Sequence, residues 1–134
     1  MLDLLIIGSG PAGLSAAVYA KRANLNVLVL EKVYCGTGQI AESSQVDNYL
    51  GFVGINGYEL GEKFRLHAVN LGAEFKPGEA VSFEATGEGW KVQCSNGDII
   101  EAKAVIYAAG AMHRYLGVPG EEEFAGKGVS YCAT

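Results

Sequence analysis

Cysteine is scarce in this sequence, which has three, Cys35, Cys94 and Cys132, odd in number and widely spaced. Such a set builds no disulfide framework and suits a reducing compartment, and no metal-ligand spacing occurs within it. Long apolar runs are lacking as well. Residues 4–7 and 27–30 are uniformly apolar but far shorter than the ~20 residues needed to cross a bilayer, so no membrane span is expected. Positive charge is in short supply: 10 Lys and Arg stand against 15 Asp and Glu, a net charge of -5, which leaves no electrostatic footprint for nucleic acid. The first residues lead straight into an apolar strand, without the basic region, long apolar stretch and cleavage site of a secretion signal, so a cytoplasmic location is expected. No internal repeat is visible. What remains is a hydrophobic share of 49% and a charged share of 19% in 134 residues, the profile of one globular domain. At this length folding hides roughly two-thirds of the chain's surface, enough for a real core.

Residues 2–7, apolar apart from Asp3 and without alternation, predict a strand buried on both faces. It stops at Gly8. Pro11 suits a helix opening, and Leu14, Ala17, Val18 and Lys21 recur at helical spacing as far as Asn24, a plausible stop. Residues 26–30 predict a second buried strand, and two parallel strands joined by one helix in about 30 residues make a β-α-β unit. The connection over 33–56 is rich in Gly, Ser, Thr and Asn, and a loop of that length in a compact domain is usually functional. Leu60, Phe64, Ala68 and Leu71 share one face of a second helix, expected over 58–71 and stopped by Gly72. Three short strands are expected at 81–86, 90–94 and 99–102, with Asn96-Gly97 a hairpin signal. Residues 104–109 predict another central parallel strand, ended by Gly110; beyond it the chain turns polar, with Pro119, Gly120 and the acidic run 121–123.

Chemistry enters at Gly8-Ser9-Gly10-Pro11-Ala12-Gly13, which has the spacing GxGxxG. Gly8 permits the tight turn off the strand, Gly10 a close approach of backbone to a pyrophosphate, and Gly13 the packing of helix on sheet. The diphosphate would then meet a helix N-terminus, where free N–H groups and the macrodipole favour negative charge. Alone the pattern is weak, because glycines also collect in ordinary turns. Here a strand precedes it, a helix follows, and Glu31 ends the second strand 18 positions after Gly13, where a carboxylate can accept bonds from ribose hydroxyls. Lys32 adjoins it. A carboxylate there would repel the extra phosphate of NADP.

An acid at that position serves NAD and FAD equally. The antiparallel meander inserted before the strand at 104–109 favours FAD over a simple NAD domain, as do the amide and small residues of the 33–56 loop. Gln39 and Asn48, taken by themselves, also suit simple loop solvation or turn capping.

The sequence resembles the amino-terminal part of the low-molecular-weight bacterial thioredoxin reductases. The matching stretches are GSGPAGLSAAVYAKRANL from Gly8, GQI from Gly38, VDNYLG from Val46 and VIYAAGAMHRYLGVPGEEEFAGKGVSYCAT from Val105. The resemblance implies an α/β fold, a Rossmann-like FAD-binding domain with a parallel central sheet and a three-stranded antiparallel β-meander. It implies that 1–117 belong to the FAD domain and that 118–134 lead into an NADPH and redox-disulfide domain. Electrons in such enzymes pass from NADPH through FAD to a CxxC disulfide and on to thioredoxin, commonly in a homodimer. By the same resemblance the loop Gly8 to Gly13 holds the pyrophosphate and Glu31 the ribose; Gly38, Gln39 and Asn48 lie along the flavin ring and ribityl chain. Val81 would approach the adenine, and Ala109 with Gly110 would pass beside the cofactor.

An isolated cysteine by itself reads as a stray thiol. In the family, however, the segment at Cys132 continues as CATC, so the resemblance makes Cys132 the first, thioredoxin-exchanging cysteine of the pair. Cys35 and Cys94 read as small apolar side chains and His67 as helix surface, while His113 has no carboxylate or nucleophile to make it an acid or base. Departures from the family pattern are Thr37 in place of the first glycine of GGQ, Leu50 in place of a proline, and Ala109 in place of a threonine. Reductases of this type are about twice as long or more, so this stretch alone is expected to be inactive. Two rival readings are a reductase of the same architecture without the second cysteine, served by ferredoxin or another donor or acceptor, and a nucleotide-binding module without turnover.

Overall fold

The computed structural model describes residues 1–33 and 38–132; Cys35 and Thr37, named above, lie outside them. Its elements are β1 (Leu2–Ile7), α1 (Pro11–Arg22), β2 (Val27–Glu31), a 3-10 helix (Gly38–Glu42), α2 (Gly57–Asn70), β3 (Glu74–Pro77), β4 (Ala80–Thr86), β5 (Gly89–Cys94) and β6 (Ile99–Tyr107). Among the described residues the strands form one six-stranded sheet in the order β3-β2-β1-β6-β5-β4. β1 is parallel to both neighbours, with Ile7 beside Leu30 on one side and beside Tyr107 on the other. The parallel centre, the antiparallel meander and the first β-α-β unit are as expected from the sequence.

The helix ends follow from local chemistry. α1 opens on Pro11, whose fixed φ suits a first turn, and Asn24, just past its end, adopts a left-handed φ of 58°. α2 is capped by Asn56, whose side chain accepts from the Tyr58 N–H at 2.9 Å, and is closed by Gly72 at φ 83°. Both helices cover one sheet face: Leu14, Ala17, Ala20 and Ala68 bury against Leu4, Ile6, Val27 and Val29. On the other face Leu5, Ile7 and Leu30 pack with Val92, Cys94, Ile100 and Ala102 from the meander. Burying one such Leu or Ile side chain stabilises the fold by about 1.5–3 kcal/mol.

Two strand expectations are corrected. The strands expected separately at 99–102 and 104–109 are one, β6, because Lys103, which reads as a polar break, stays in the strand and donates from Nζ to Asp3 Oδ1 at 2.7 Å. The last meander strand is thus also the central parallel strand. It ends at Tyr107 rather than at residue 109, although the Ala108 N–H still reaches the Ile7 carbonyl at 2.8 Å. β3 was not anticipated, since Glu74-Phe75-Lys76-Pro77 is neither an apolar run nor a long alternation. It extends the sheet beyond β2, with Phe75 beside Val29 and Pro77 beside Glu31. No helix among the described residues is long and apolar enough to cross a membrane.

Candidate functional site

The glycines of the first loop meet different constraints. Gly8 has φ 106° and donates its N–H to the Leu30 carbonyl at 2.8 Å; a Cβ there would lie 2.2 Å from the Ala108 carbonyl oxygen. Gly13 supports the first turn of α1 directly on the end of β1, and a Cβ there would lie 1.9 Å from the Gly8 carbonyl oxygen. Both glycines are thus required by the fold itself. Gly10 is different: its φ of -72° suits any residue, and a Cβ would meet nothing within 4 Å. It is the N-cap of α1, with no side-chain cap and no acidic residue in the first turn, while the Ser9 beside it is buried. The start of α1 therefore presents amide dipoles to open space, the arrangement that suits a diphosphate.

Two further segments border this opening. A Cβ on Gly38 would lie 3.7 Å from Gly10 Cα and 3.8 Å from Pro11 Cδ, so the 3-10 helix begins beside the phosphate loop. From its second residue, the Gln39 amide donates to the Ala111 carbonyl at 2.7 Å, joining the chain after β2 to the chain after β6. Ala109 and Gly110, the latter at φ 73°, lie in that second segment. The structure thus brings Gly8 to Gly13, Gly38, Gln39, Ala109 and Gly110 to the carboxyl ends of neighbouring parallel strands, where α/β sheets bind ligands. Asn48 is exposed in a loop closed by the Val46 N–H to Ile55 carbonyl bond of 2.8 Å. The 3-10 helix is seated on α2 so closely that a Cβ on Gly57 would lie 1.8 Å from the Ile40 carbonyl oxygen.

Glu31 ends β2, one strand from the loop, and is buried. Its carboxylate already has a partner that the sequence reading did not identify: Arg65 Nη1 and Nη2 on α2 donate to Glu31 Oε2 and Oε1 at 2.6 and 2.8 Å. The Arg65 guanidinium also sits 4.0 Å from the centre of the Phe75 ring. Lys32 turns outward to Glu79, 2.8 Å away, and Val81 is exposed on the edge strand β4, two strands removed from β6. The available signal for Arg65 was its place on one helical row with Gly61 and Ala68, both buried.

Cys132 is exposed, and a separate cluster lies just before it in the chain. The buried Glu121 carboxylate accepts from the N–H groups of Leu116 and Gly117 at 2.8 and 2.7 Å and from the Tyr131 hydroxyl at 2.8 Å. The Leu116 amide above all holds that carboxyl below the usual range. Burial, then the bond to Glu121, pushes the Tyr131 hydroxyl up to about 12. His113 stacks on Tyr131 with ring centres 3.8 Å apart, so its role here is packing. Ser130 Oγ donates to the Cys132 carbonyl at 2.6 Å. Cys94 is a buried apolar side chain, as expected, its thiol pushed up by burial, and His67 is exposed on α2. No His, Cys, Asp and Glu cluster among the described residues could hold a metal ion.

Comparison with known proteins bears on the family and the fold. The sequence matches the pyridine nucleotide-disulphide oxidoreductases over residues 2–134. A thioredoxin reductase of Bacillus subtilis is 47% identical over 131 residues, covering 98% of this chain and 41% of the relative. The chain thus spans about two-fifths of the length of the curated relatives it matches. The crystal structure of Lactococcus lactis thioredoxin reductase superposes with a TM-score of 0.86 at 38% identity, over 92% of this chain and 40% of that one. A ferredoxin-flavin thioredoxin reductase from Clostridium acetobutylicum superposes with a TM-score of 0.75 at 36% identity, over 93% and 43%. The mixed sheet and its two helices match the Rossmann-like FAD-binding domain of thioredoxin reductases.

Proposed function

The chain belongs to the pyridine nucleotide-disulphide oxidoreductase family, and on that premise we propose that it is the FAD-binding portion of an NADPH-dependent thioredoxin-disulfide reductase. The observation that carries the proposal is Gly10: an uncapped helix start with open space in front of it, between two glycines that the fold itself requires. That opening fits a dinucleotide diphosphate. Ser9, Pro11 and Ala12 complete the loop that would hold it; Glu31 would take the ribose, with Lys32 next to it. Gly38, Gln39 and Asn48 would line the flavin, Ala109 and Gly110 would pass beside it, and Val81 would lie towards the adenine. When bound, the flavin supplies two-electron transfer between a nicotinamide and a disulfide. The chain's own part is to bind and orient it with backbone amides and one carboxylate.

In this reading 1–117 serve the cofactor and 118–134 lead towards a nicotinamide and redox-disulfide domain, with Cys132 as the thiol that exchanges with thioredoxin. The whole protein would be a cytoplasmic homodimer, and the 134 residues alone would bind FAD without turnover. The likeness to the ferredoxin-flavin enzyme supports a second reading in which ferredoxin, not NADPH, is the electron donor.

The test is the absorption spectrum of the purified chain after incubation with FAD and gel filtration. The expected result is a visible flavin band travelling with the protein in near one-to-one ratio. A colourless protein that also gives no calorimetric response to FAD or ADP would overturn the proposal.

A further inference from the structure

We infer that Arg65 is the positioning residue for the adenosine end of the site: by holding the Glu31 carboxylate from behind, it sets that carboxylate for the ribose hydroxyls before any nucleotide arrives. The inference rests on the dinucleotide reading above. Its physical root is burial. The Glu31 side chain is only 5% exposed and that of Arg65 13%, and a carboxylate so removed from water is stable only with a partner. Arg65 is the partner found there, through two short bonds in the fork geometry that fixes a carboxylate's plane as well as its place.

The guanidinium is itself constrained. It lies against the Phe75 ring of β3, and its helical row, with Gly61 and Ala68, faces the sheet. The Glu31 backbone is fixed independently, since its carbonyl accepts the Gly78 N–H at 2.8 Å. The neighbouring cation Lys32 serves Glu79 instead, so the positioning of Glu31 falls to α2.

Lone-pair counting decides whether the arginine assists the sugar or competes with it. A carboxylate offers about four acceptor sites, the fork uses two, and two remain, the number of hydroxyls in a ribose diol. The pair is therefore compatible with sugar binding.

The test is calorimetric titration of the full chain with ADP and with 2′-deoxy-ADP, in the wild type, Arg65→Met and Arg65→Lys. A charge-assisted bond to the 2′-hydroxyl gives the wild type a preference for ADP of about tenfold or more. In Arg65→Met that preference should collapse to within about twofold, with ADP, which loses the bonds of both hydroxyls, weakened more than 2′-deoxy-ADP, which loses only that of its 3′-hydroxyl and is otherwise held by the loop; Arg65→Lys should restore part of it. An unchanged preference in Arg65→Met, an equal loss for both ligands, or tighter ADP binding would each overturn the inference. The first would leave Glu31 independent of Arg65, the second would make the pair purely structural, and the third would make the arginine a competitor. If Arg65→Met does not fold, the lysine variant alone must show a reduced preference for the inference to stand. A wild type that binds no ADP at all would instead sink the cofactor reading.

Discussion

Replacing Gly10 and Gly13 in turn with alanine separates the fold from the binding site. At Gly13 the added Cβ would come within 1.9 Å of the Gly8 carbonyl oxygen and 3.3 Å of Ile6 Cγ2, so α1 must lift from β1. Overpacking of this kind costs typically ~1–3 kcal/mol, and backbone atoms on both sides of the contact place it at the upper end. At Gly10 the Cβ enters open space at an ordinary φ of -72°, so Gly10→Ala should leave stability unchanged or raise it by about 0.4–1 kcal/mol through the stiffer unfolded chain. Binding should move the other way. A methyl group where a diphosphate rests lifts it off at least one amide, and a hydrogen bond to a charged group is worth about 1.5–3 kcal/mol, or about 10- to 150-fold in affinity. Urea unfolding of the ligand-free protein and calorimetric titration with ADP read the two effects independently. If Gly10→Ala binds ADP like the wild type, or loses as much stability as Gly13→Ala, the diphosphate does not lie where the loop geometry puts it.

Gly57→Ala should drive the 3-10 helix off α2, because its Cβ would come within 1.8 Å of the Ile40 carbonyl oxygen; flavin retention should fall while ADP affinity, which depends on the other loop, stays. Equal losses of both would refute that division. Glu121 is held below its ordinary value near 4.5, with the Leu116 amide the main cause, so its contribution to stability is complete above that value and is lost as pH falls through the lower folded one. Chemical shifts of the His113 and Tyr131 ring protons should report that acid loosening, and Glu121→Gln should abolish the acid dependence and let the Tyr131 hydroxyl titrate below about 12. The same acid profile in the variant would assign the transition to another group.

Where one local force dominated, the sequence was legible. The β1 run, the opening of α1 at Pro11 and the Gly72 stop of α2 each depend on neighbours within a few residues, and the structure has the corresponding elements within one or two positions. β6 looks like two strands in the sequence because the charged Lys103 divides its apolar residues, and its partner, Asp3, lies 100 residues earlier. β3 is short and mixed in character, and exists because the open edge of β2 is there to pair with it. The site divided along the same line. The glycine loop of the candidate site is legible in its spacing together with the strand before it and the helix after it, whereas the Arg65–Glu31 pair and the grip of Gln39 on Ala111 join segments 34 and 72 residues apart, and helical spacing shows no more than that Arg65 shares a row with Gly61 and Ala68.

The cradle at the head of α1 is built from peptide groups and three residues without side chains, and packing against Ala108 and Ile6 already holds two of them in place. A diphosphate seated on those amides has no rotamers of theirs to freeze, so the ordering entropy that most anion sites built from lysine or arginine must overcome at the moment of capture was spent when the domain folded. Capture of a nucleotide's diphosphate should accordingly be fast, with little loss of protein mobility.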